Sequence, residues 1–154
     1  MTGLSNIYVN ELGKILCGKK FVGVYSSDIQ PKFEKRLCNF SIIFNTDKHT
    51  EKGTHFIAIS CDKNNFFYFD PFGKKCRNKE INKFIKENLK GRAYIYNNQR
   101  IQNDKSLFCG LHCLSFLLSQ NKKIPFSEYL KNFSKTKTFA NDGVVTKIIE
   151  NEFI

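Results

Sequence analysis

Cys109 is the residue whose type and setting most directly indicate chemistry. It lies near the start of an apolar run, LFCGLHCLSFLLS at 107–119, which predicts a helix buried on all sides. We expect this helix to begin about one turn before the thiol, with Asp104 or Ser106 as its cap. A helix N-terminus favours the thiolate, the nucleophilic form of cysteine, and Gly110 leaves open backbone beside the sulfur. The residues alone leave open that Cys109 packs as a small buried hydrophobe.

His55 and Asp70 are the candidate partners of this thiol. His55 opens the first strand of a predicted hairpin, and Asp70 closes the second. If the turn is centred on Lys63 and Asn64, residues whose numbers sum to 127 face each other, so Ile57 opposes Asp70 and His55 lies on the same face. Such a diagonal pair is ~7–8 Å apart between backbones, within reach of the two side chains.

Together these residue types suit nucleophilic catalysis. The His55 imidazole can take the thiol proton, and the Asp70 carboxylate can fix its tautomer and stabilise the imidazolium. Gln102, seven residues before Cys109, can donate to an oxyanion beside the Cys109 backbone N–H. Each residue also has a structural interpretation: a histidine at a strand end, an aspartate that starts a turn before Pro71, and a solvated loop glutamine.

The 154 residues fit a single domain, 1–154, large enough to bury a core without disulfides. Helices are predicted at 5–16, 79–90, 107–119, 126–133 and 143–152, and strands at 21–25, 39–46, 54–61, 66–70 and 92–96. The strands at 54–61 and 66–70 are apolar on both faces, which favours central positions in a sheet. Helices that bracket a run of strands indicate the α+β class.

Composition and charge narrow the function classes. Apolar residues at 41% and aromatic residues at 14% exclude a disordered protein, and the absence of an 18-residue apolar run argues against a membrane protein. The N-terminus lacks a secretory pattern, so we expect an intracellular protein with reduced cysteines. No zinc-site spacing occurs, and no cofactor is required by the sequence. The net charge of +11 favours contact with a polyanion, although a lysine-rich surface also follows from an A/T-rich genome.

Four motifs contain the candidate residues: Gly53-Thr54-His55-Phe56, Tyr68-Phe69-Asp70-Pro71-Phe72-Gly73, Gln102, and Ser106-Leu107-Phe108-Cys109-Gly110-Leu111-His112-Cys113. In order and spacing they resemble the motifs of the adenovirus maturation protease family (adenain) and, more distantly, those of proteases that remove SUMO-like modifiers. The segment from Glu11 to Tyr25 also resembles the opening of the family. The resemblance covers residues 10–119.

The resemblance implies a papain-like cysteine protease fold of the adenain and SUMO-protease type, with a central mixed β-sheet flanked by helices. It assigns Cys109 as the nucleophile at the N-terminus of a buried helix, His55 as the base, Asp70 as the orienting acid and Gln102 as the oxyanion donor. It implies cleavage of viral precursor proteins at Gly-containing sites during virion maturation, in the virion, the host nucleus or a viral factory. DNA or a noncovalent peptide is the implied activator, and we expect a monomer.

The family's use of DNA draws attention to the basic segment 74–92, which contains only two acidic residues. The residues that we single out for phosphate contact are Lys74, Lys75, Arg77, Lys83 and Lys86. The alternative is that they form the solvated face of an amphipathic helix.

Several positions depart from the adenovirus pattern. The acid is Asp70 rather than Glu, and Phe56 replaces the usual Trp. The cysteine that joins an activating peptide through a disulfide corresponds to a position near Gly91, so disulfide-linked activation is not expected. The chain after Cys109 has only 45 residues. These departures favour a compact relative from a virophage, a Polinton-like element or another small DNA virus.

Other functions remain open at this point. A deconjugase of ubiquitin-like modifiers would share the triad and a Gly-Gly preference, and a small basic nucleic-acid-binding protein would contain Cys109 and His55 incidentally. A redox role for Cys109 and Cys113 would need a CxxC spacing, which the chain lacks. His112, three residues after Cys109, is expected to pack against its neighbours rather than to act as the base.

Overall fold

The computed structural model describes residues 5–46 and 55–153. The helices in this part of the chain are α1 (Asn6–Cys17), α2 (Lys79–Asn88), α3 (Cys109–Asn121), α4 (Phe126–Leu130) and α5 (Asn141–Glu150). The strands are β1 (Phe21–Ser26), β2 (Phe40–Asn45), β3 (Phe56–Cys61), β4 (Asn65–Phe69) and β5 (Ala93–Tyr96). Short 3₁₀ turns lie at Gly18–Lys20, Thr138–Ala140 and Asn151–Phe153.

The strands form one mixed sheet in the order β1-β2-β3-β4-β5. The two outer pairs, β1 with β2 and β4 with β5, are parallel, and the inner pairs are antiparallel. The inner strand β3 is joined to β4 by a tight turn, in which Asp62 accepts hydrogen bonds from the backbone N–H groups of Asn64 and Asn65. This side-chain turn fixes where the hairpin reverses.

Helices cover both faces of the sheet. On one face, α2 packs Ile81, Phe84 and Ile85 against apolar side chains of β2, β3 and β4. On the other face, residues of α1, α3 and α5 share a core with the alternate side chains of the same strands. All residues of β2 and β3 are buried, because a strand covered on both faces has no solvent side. The predicted α+β class, with a mixed sheet flanked by helices, is confirmed.

Helix α3 lies in the core that α1, α3 and α5 share with the sheet. It is buried along most of its length, as its uniformly apolar sequence predicts. The ring of Phe116 stacks on Phe69 of β4 with centroids 4.7 Å apart and planes 11° from parallel. Phe126 lies 4.9 Å from the same ring. The helix is thus held against the sheet by aromatic contacts rather than by polar ones.

Several predicted boundaries were wrong. Helix α3 begins at Cys109 rather than at 107, and neither Asp104 nor Ser106 caps it, since Phe108 occupies the N-cap position without a side-chain hydrogen bond. Helix α4 ends at Leu130 rather than at 133, and α2 ends before Lys90 and Gly91, which both adopt positive φ. Helix α5 begins at Asn141, two residues earlier than predicted. Of the predicted strand 54–61, Thr54 lies outside the described residues, as does Gly53 of the motif that precedes it.

We predict that Phe116→Ala lowers the free energy of unfolding by roughly 3–5 kcal/mol, because it leaves a cavity between α3 and the sheet. The matched control is Phe139→Ala, at a side chain that is 70% exposed, where the loss should stay within about 0.5 kcal/mol. Urea unfolding measures both values. Equal losses for the two substitutions would show that the Phe116 contacts do not stabilise the core.

Candidate active site

The pairing of β3 with β4 brings His55 and Asp70 together. Ala58 pairs with Phe69, and Cys61 pairs with Phe66, so the predicted register, in which paired numbers sum to 127, is confirmed. His55 precedes the first residue of β3, and Asp70 follows the last residue of β4. Both residues therefore lie at the open end of the hairpin, where Cys109 at the start of α3 meets the His55 imidazole.

The imidazole of His55 is bonded to the carboxylate of Asp70. His55 Nε2 lies 3.0 Å from Asp70 Oδ1, and the two side chains are 20% and 9% exposed. Asp70, although one methylene shorter than the Glu usual in adenoviruses, reaches the ring directly. The bond fixes the ring orientation and leaves the opposite, buried nitrogen, Nδ1, for the thiol; among residues 5–46 and 55–153 this nitrogen has no other hydrogen-bond partner.

Cys109 is the first residue of α3 and is 6% exposed. Its thiol interacts with the His55 imidazole through a hydrogen bond and through charge. Because the first N–H groups of a helix have no partners within the helix, the sulfur lies where backbone dipoles stabilise negative charge. The structure thus places the thiol nearer to the helix start than the sequence predicted.

The protonation of His55 depends on both neighbours. Burial alone lowers the pKa of the imidazole, but the hydrogen bonds to Asp70 and Cys109, together with the charges of these groups, outweigh burial and raise the pKa to about 9. An imidazolium between a carboxylate and a sulfur is therefore favoured at neutral pH.

The turn that follows β4 holds the carboxylate and the imidazole in place. The Phe72 N–H donates to Asp70 Oδ1 at 2.8 Å, so the oxygen that binds His55 also accepts a backbone bond. The Phe72 ring stacks on the imidazole with centroids 4.8 Å apart. The Arg100 guanidinium lies 4.9 Å from the centroid of the same Phe72 ring. Gly73 has φ +71°, and a Cβ there would meet the Arg100 backbone nitrogen at 2.6 Å. Only glycine therefore fits this corner.

Asn97 anchors the backbone of Asp70. Its side chain accepts from the Asp70 N–H at 2.9 Å and donates to the Asp70 carbonyl at 2.6 Å, while it is itself 1% exposed. This pair of bonds replaces the strand pairing that ends at Phe69. The backbone of Asp70 is thus held by a side chain 27 residues further along the chain.

Gln102 lies in the loop that leads to α3, but its side chain is fully buried rather than solvated. Its Nε2 donates to the Ser106 carbonyl at 2.9 Å. Its backbone N–H, like that of Ile101, donates to the Pro71 carbonyl at 2.9 Å. The turn after β4 therefore binds the loop that contains the candidate oxyanion donor.

The five basic residues singled out from the sequence are all exposed, but they do not form one cluster. Lys75, Lys83 and Lys86 line a groove of about 1110 Å³ between α2 and β5, whereas Lys74 and Arg77 do not line it. Tyr94 and Tyr96 also line the groove, and the Lys75 ammonium lies 6.0 Å from the Tyr96 ring centroid.

Other polar residues near the site have no sequence signal that marks them. Asn97 and Asp142 contact residues 27 and 36 positions away, and neither belongs to a recognisable motif. Phe72 lies inside the Tyr68–Gly73 motif, but its stacking on His55 follows only from the folded turn. His112 does pack in the core, and it also bonds Asp142, with Nε2 and Oδ1 2.9 Å apart.

Cys113 lies one turn beyond Cys109 and is fully buried. Burial raises the pKa of its thiol well above the usual value, so this sulfur is chemically inert compared with a thiolate. No disulfide joins the six cysteines, all of which lie in the described part of the chain.

Two kinds of feature are absent from residues 5–46 and 55–153. These residues contain no cluster of three or more His, Cys, Asp or Glu side chains that could hold a metal ion. None of their helices has the length and apolar character needed to cross a membrane.

The family model that describes the adenovirus endoprotease matches residues 21–141. A protease of Bovine adenovirus C serotype 10 is 33% identical over 116 residues, which cover 66% of this chain and 58% of the relative. A protease of Bovine adenovirus 7 is 31% identical over 133 residues, which cover 76% of this chain and 64% of the relative. The chain thus spans less than two thirds of the length of these curated relatives.

Solved structures share the fold at low sequence identity. The ASFV pS273R protease superimposes with a TM-score of 0.64 at 15% identity, over 91% of this chain and 66% of that one. The central domain of the Lpg1148 protein from Legionella pneumophila gives a TM-score of 0.59 at 10% identity, over 99% of this chain and 96% of that one. These similarities concern the fold alone.

We predict that the His55→Ala substitution lowers the melting temperature most at low pH. The folded-state pKa of about 9 lies above the usual 6.5, so the charged imidazole contributes stability that is fully present below pH 6.5 and is lost as the pH rises through about 9. Thermal unfolding of both proteins across this range measures the difference. In an Asp70→Asn background the pH dependence of the difference should weaken. A difference that does not change with pH would contradict the ion-paired site.

Proposed function

Because this chain belongs to the adenovirus endoprotease family, we propose that it is a cysteine endopeptidase that cleaves viral precursor proteins at Gly-containing sites during virion maturation. The observation that carries this proposal is the 3.0 Å hydrogen bond from His55 to Asp70 on an imidazole that also contacts the Cys109 thiol. The geometry matches the roles of base, orienting acid and nucleophile.

In the proposed reaction, the Cys109 thiol passes its proton to His55 before the substrate reacts, and the resulting thiolate attacks the carbonyl carbon of the scissile peptide. A carbon–sulfur bond forms, and the carbonyl oxygen becomes an oxyanion. The backbone N–H of Cys109 and the side-chain amide of Gln102 are the proposed donors to this oxygen. Asp70 keeps the imidazolium oriented, because Nε2 remains bonded to the carboxylate throughout.

The intermediate then collapses as the C–N bond breaks, and the imidazolium gives its proton to the leaving amine. A water molecule, deprotonated by the now neutral His55, hydrolyses the thioester and returns the thiol.

We predict fast alkylation of Cys109 by iodoacetamide at a pH well below the ~8.5 of an ordinary thiol, because the sulfur is paired with an imidazolium. Cys38, which is exposed, serves as an internal control within the same chain. Mass spectrometry after timed labelling gives both rates. His55→Ala should remove the advantage of Cys109 and leave the rate at Cys38 unchanged.

Peptide cleavage, probe labelling and alkylation together distinguish the competing functions. Cleavage of a Gly-Gly-containing peptide that Cys109→Ala abolishes would support the endopeptidase. Labelling of Cys109 by a ubiquitin-like activity probe, without peptide cleavage, would favour a deconjugase. If alkylation of Cys109 is slow and indifferent to His55→Ala, both with and without added DNA, the proposed activity is wrong.

The groove between α2 and β5 supports DNA as a partner of this protease. Four lysines line it against one glutamate, namely Lys75, Lys79, Lys83, Lys86 and Glu80. The tyrosines that line the groove offer rings on which bases can stack. Phosphate contacts from the lysines would be independent of sequence and strongly dependent on salt. We propose that this groove binds DNA as an activator or as a track.

We predict that Lys83→Glu with Lys86→Glu weakens DNA binding at every sequence tested and reduces the slope of log K against log salt by roughly 2, since each phosphate contact contributes about 0.9. Fluorescence anisotropy with labelled duplex and single-stranded DNA measures both quantities. The matched control is Lys135→Glu with Lys137→Glu, at exposed residues outside the groove, which makes the same change in net charge. Equal weakening by the two double substitutions would exclude the groove as the binding site.

A further inference from the structure

A second histidine–carboxylate pair lies at the same helix as Cys109. His112 Nε2 and Asp142 Oδ1 are 2.9 Å apart, and His112 is fully buried. The same carboxylate oxygen accepts from the Ser106 hydroxyl at 2.9 Å. Burial raises the pKa of Asp142, but the hydrogen bonds from His112 and Ser106 outweigh this and hold the pKa below its usual range. Asp142 is therefore a carboxylate that receives two donors from the region around Cys109.

Ser106 is the point where this pair meets the proposed oxyanion donor. Its hydroxyl donates to Asp142 and accepts from the Phe108 N–H at 3.1 Å. Its carbonyl accepts from Gln102 Nε2 at 2.9 Å. The only hydrogen bond that the structure shows for the Gln102 side chain within the described residues therefore ends on a residue held by Asp142.

The start of α5 also binds the other end of the loop. Asn141, which is 1% exposed, donates to the Ile101 carbonyl at 2.8 Å. Two consecutive residues of α5 thus hold the loop on either side of Gln102, one at Ile101 and the other at Ser106. The Pro71 carbonyl accepts a hydrogen bond from the Gln102 backbone N–H. This bond fixes the backbone of Gln102 but not its side-chain amide.

We propose that Asp142, together with His112, is a positioning pair that holds Ser106 and through it the side-chain amide of Gln102 in line with the oxyanion of the reaction. This inference rests on the proposed function and adds to it a part of the chain, the start of α5, to which the family motifs assign no role. Asp142→Asn leaves only a neutral amide oxygen as the acceptor, so both hydrogen bonds lose their charge assistance and Ser106 is held less firmly. Gln102 then loses its fixed direction, while His55, Asp70 and Cys109 keep their contacts.

The test compares two reactions of the same thiol. Alkylation by iodoacetamide forms no oxyanion, whereas amide hydrolysis does, so only the second reaction needs Gln102. Asp142→Asn should lower kcat for a Gly-Gly-containing peptide on the order of 10- to 100-fold, as expected for a displaced catalytic group, with little change in KM. The rate of Cys109 alkylation should not change. In a Gln102→Ala background, Asp142→Asn should cause no further loss of kcat.

The matched control is Glu152→Gln. Glu152 pairs with Lys122 just after the C-terminal end of α3, so it joins the same helix to the C-terminal segment without touching the loop. This substitution should leave kcat unchanged. An equal loss of kcat from Glu152→Gln, a loss that persists in the Gln102→Ala background, or a parallel loss of alkylation would show that Asp142 acts only on overall stability, and would overturn the proposal.

A further readout does not depend on catalysis. Hydrogen exchange at the Phe108 amide, which donates to Ser106 Oγ, should be faster in Asp142→Asn than in the wild type and in Glu152→Gln. Unchanged exchange there would overturn the positioning role even if the protein is an active protease. Faster exchange without any His55-dependent reactivity of Cys109 would uphold the positioning of the loop and show that the proposed protease function is wrong.

Discussion

The pairing of β3 with β4 is the constraint on which the candidate site depends. His55 and Asp70 both lie beyond the open end of this ladder, so their approach is set by how the strands align. Because side chains alternate across a strand, a slip of one residue in this register would leave His55 and Asp70 on opposite faces of the hairpin. The Asp62 turn and the burial of β3 on both faces prevent this slip. The hairpin thus determines whether the protein has a paired base.

The turn after β4 connects the hairpin to the loop that contains Gln102. Its Asp70 carboxylate binds the imidazole, its Phe72 ring covers that imidazole, and its Pro71 carbonyl binds the loop with Gln102. The corner folds tightly because Gly73 adopts a left-handed conformation against the backbone of Arg100. A few consecutive residues therefore set the relative positions of the acid, the base and the proposed oxyanion donor.

The sequence predicted the parts of the site that have local patterns. The hairpin register followed from the turn residues and the alternation of the flanking strands, and the buried character of α3 followed from its uniform apolarity. The start of α3 was misplaced because Asp104 and Ser106 are good capping residues that bind other partners, Arg100 and Asp142 respectively. The roles of Asn97, Asp142 and Asn141 had no signal in the sequence, because their side chains bond residues 7 to 40 positions away. Such contacts follow only from the tertiary fold.

The span of the site along the chain has a consequence for its assembly. The hairpin with His55 and Asp70 consists of neighbouring residues and can form early, since short loops close at low entropic cost. Cys109 joins it only when α3 docks on the sheet, and the loop of Gln102 is held only once Asn141 and Asp142 have been synthesised and α5 has packed. A ribosome-bound chain that has exposed its thiol thus still lacks the contacts that order the neighbouring loop. Biosynthesis itself thus delays the completion of the candidate site until the start of α5 has been made.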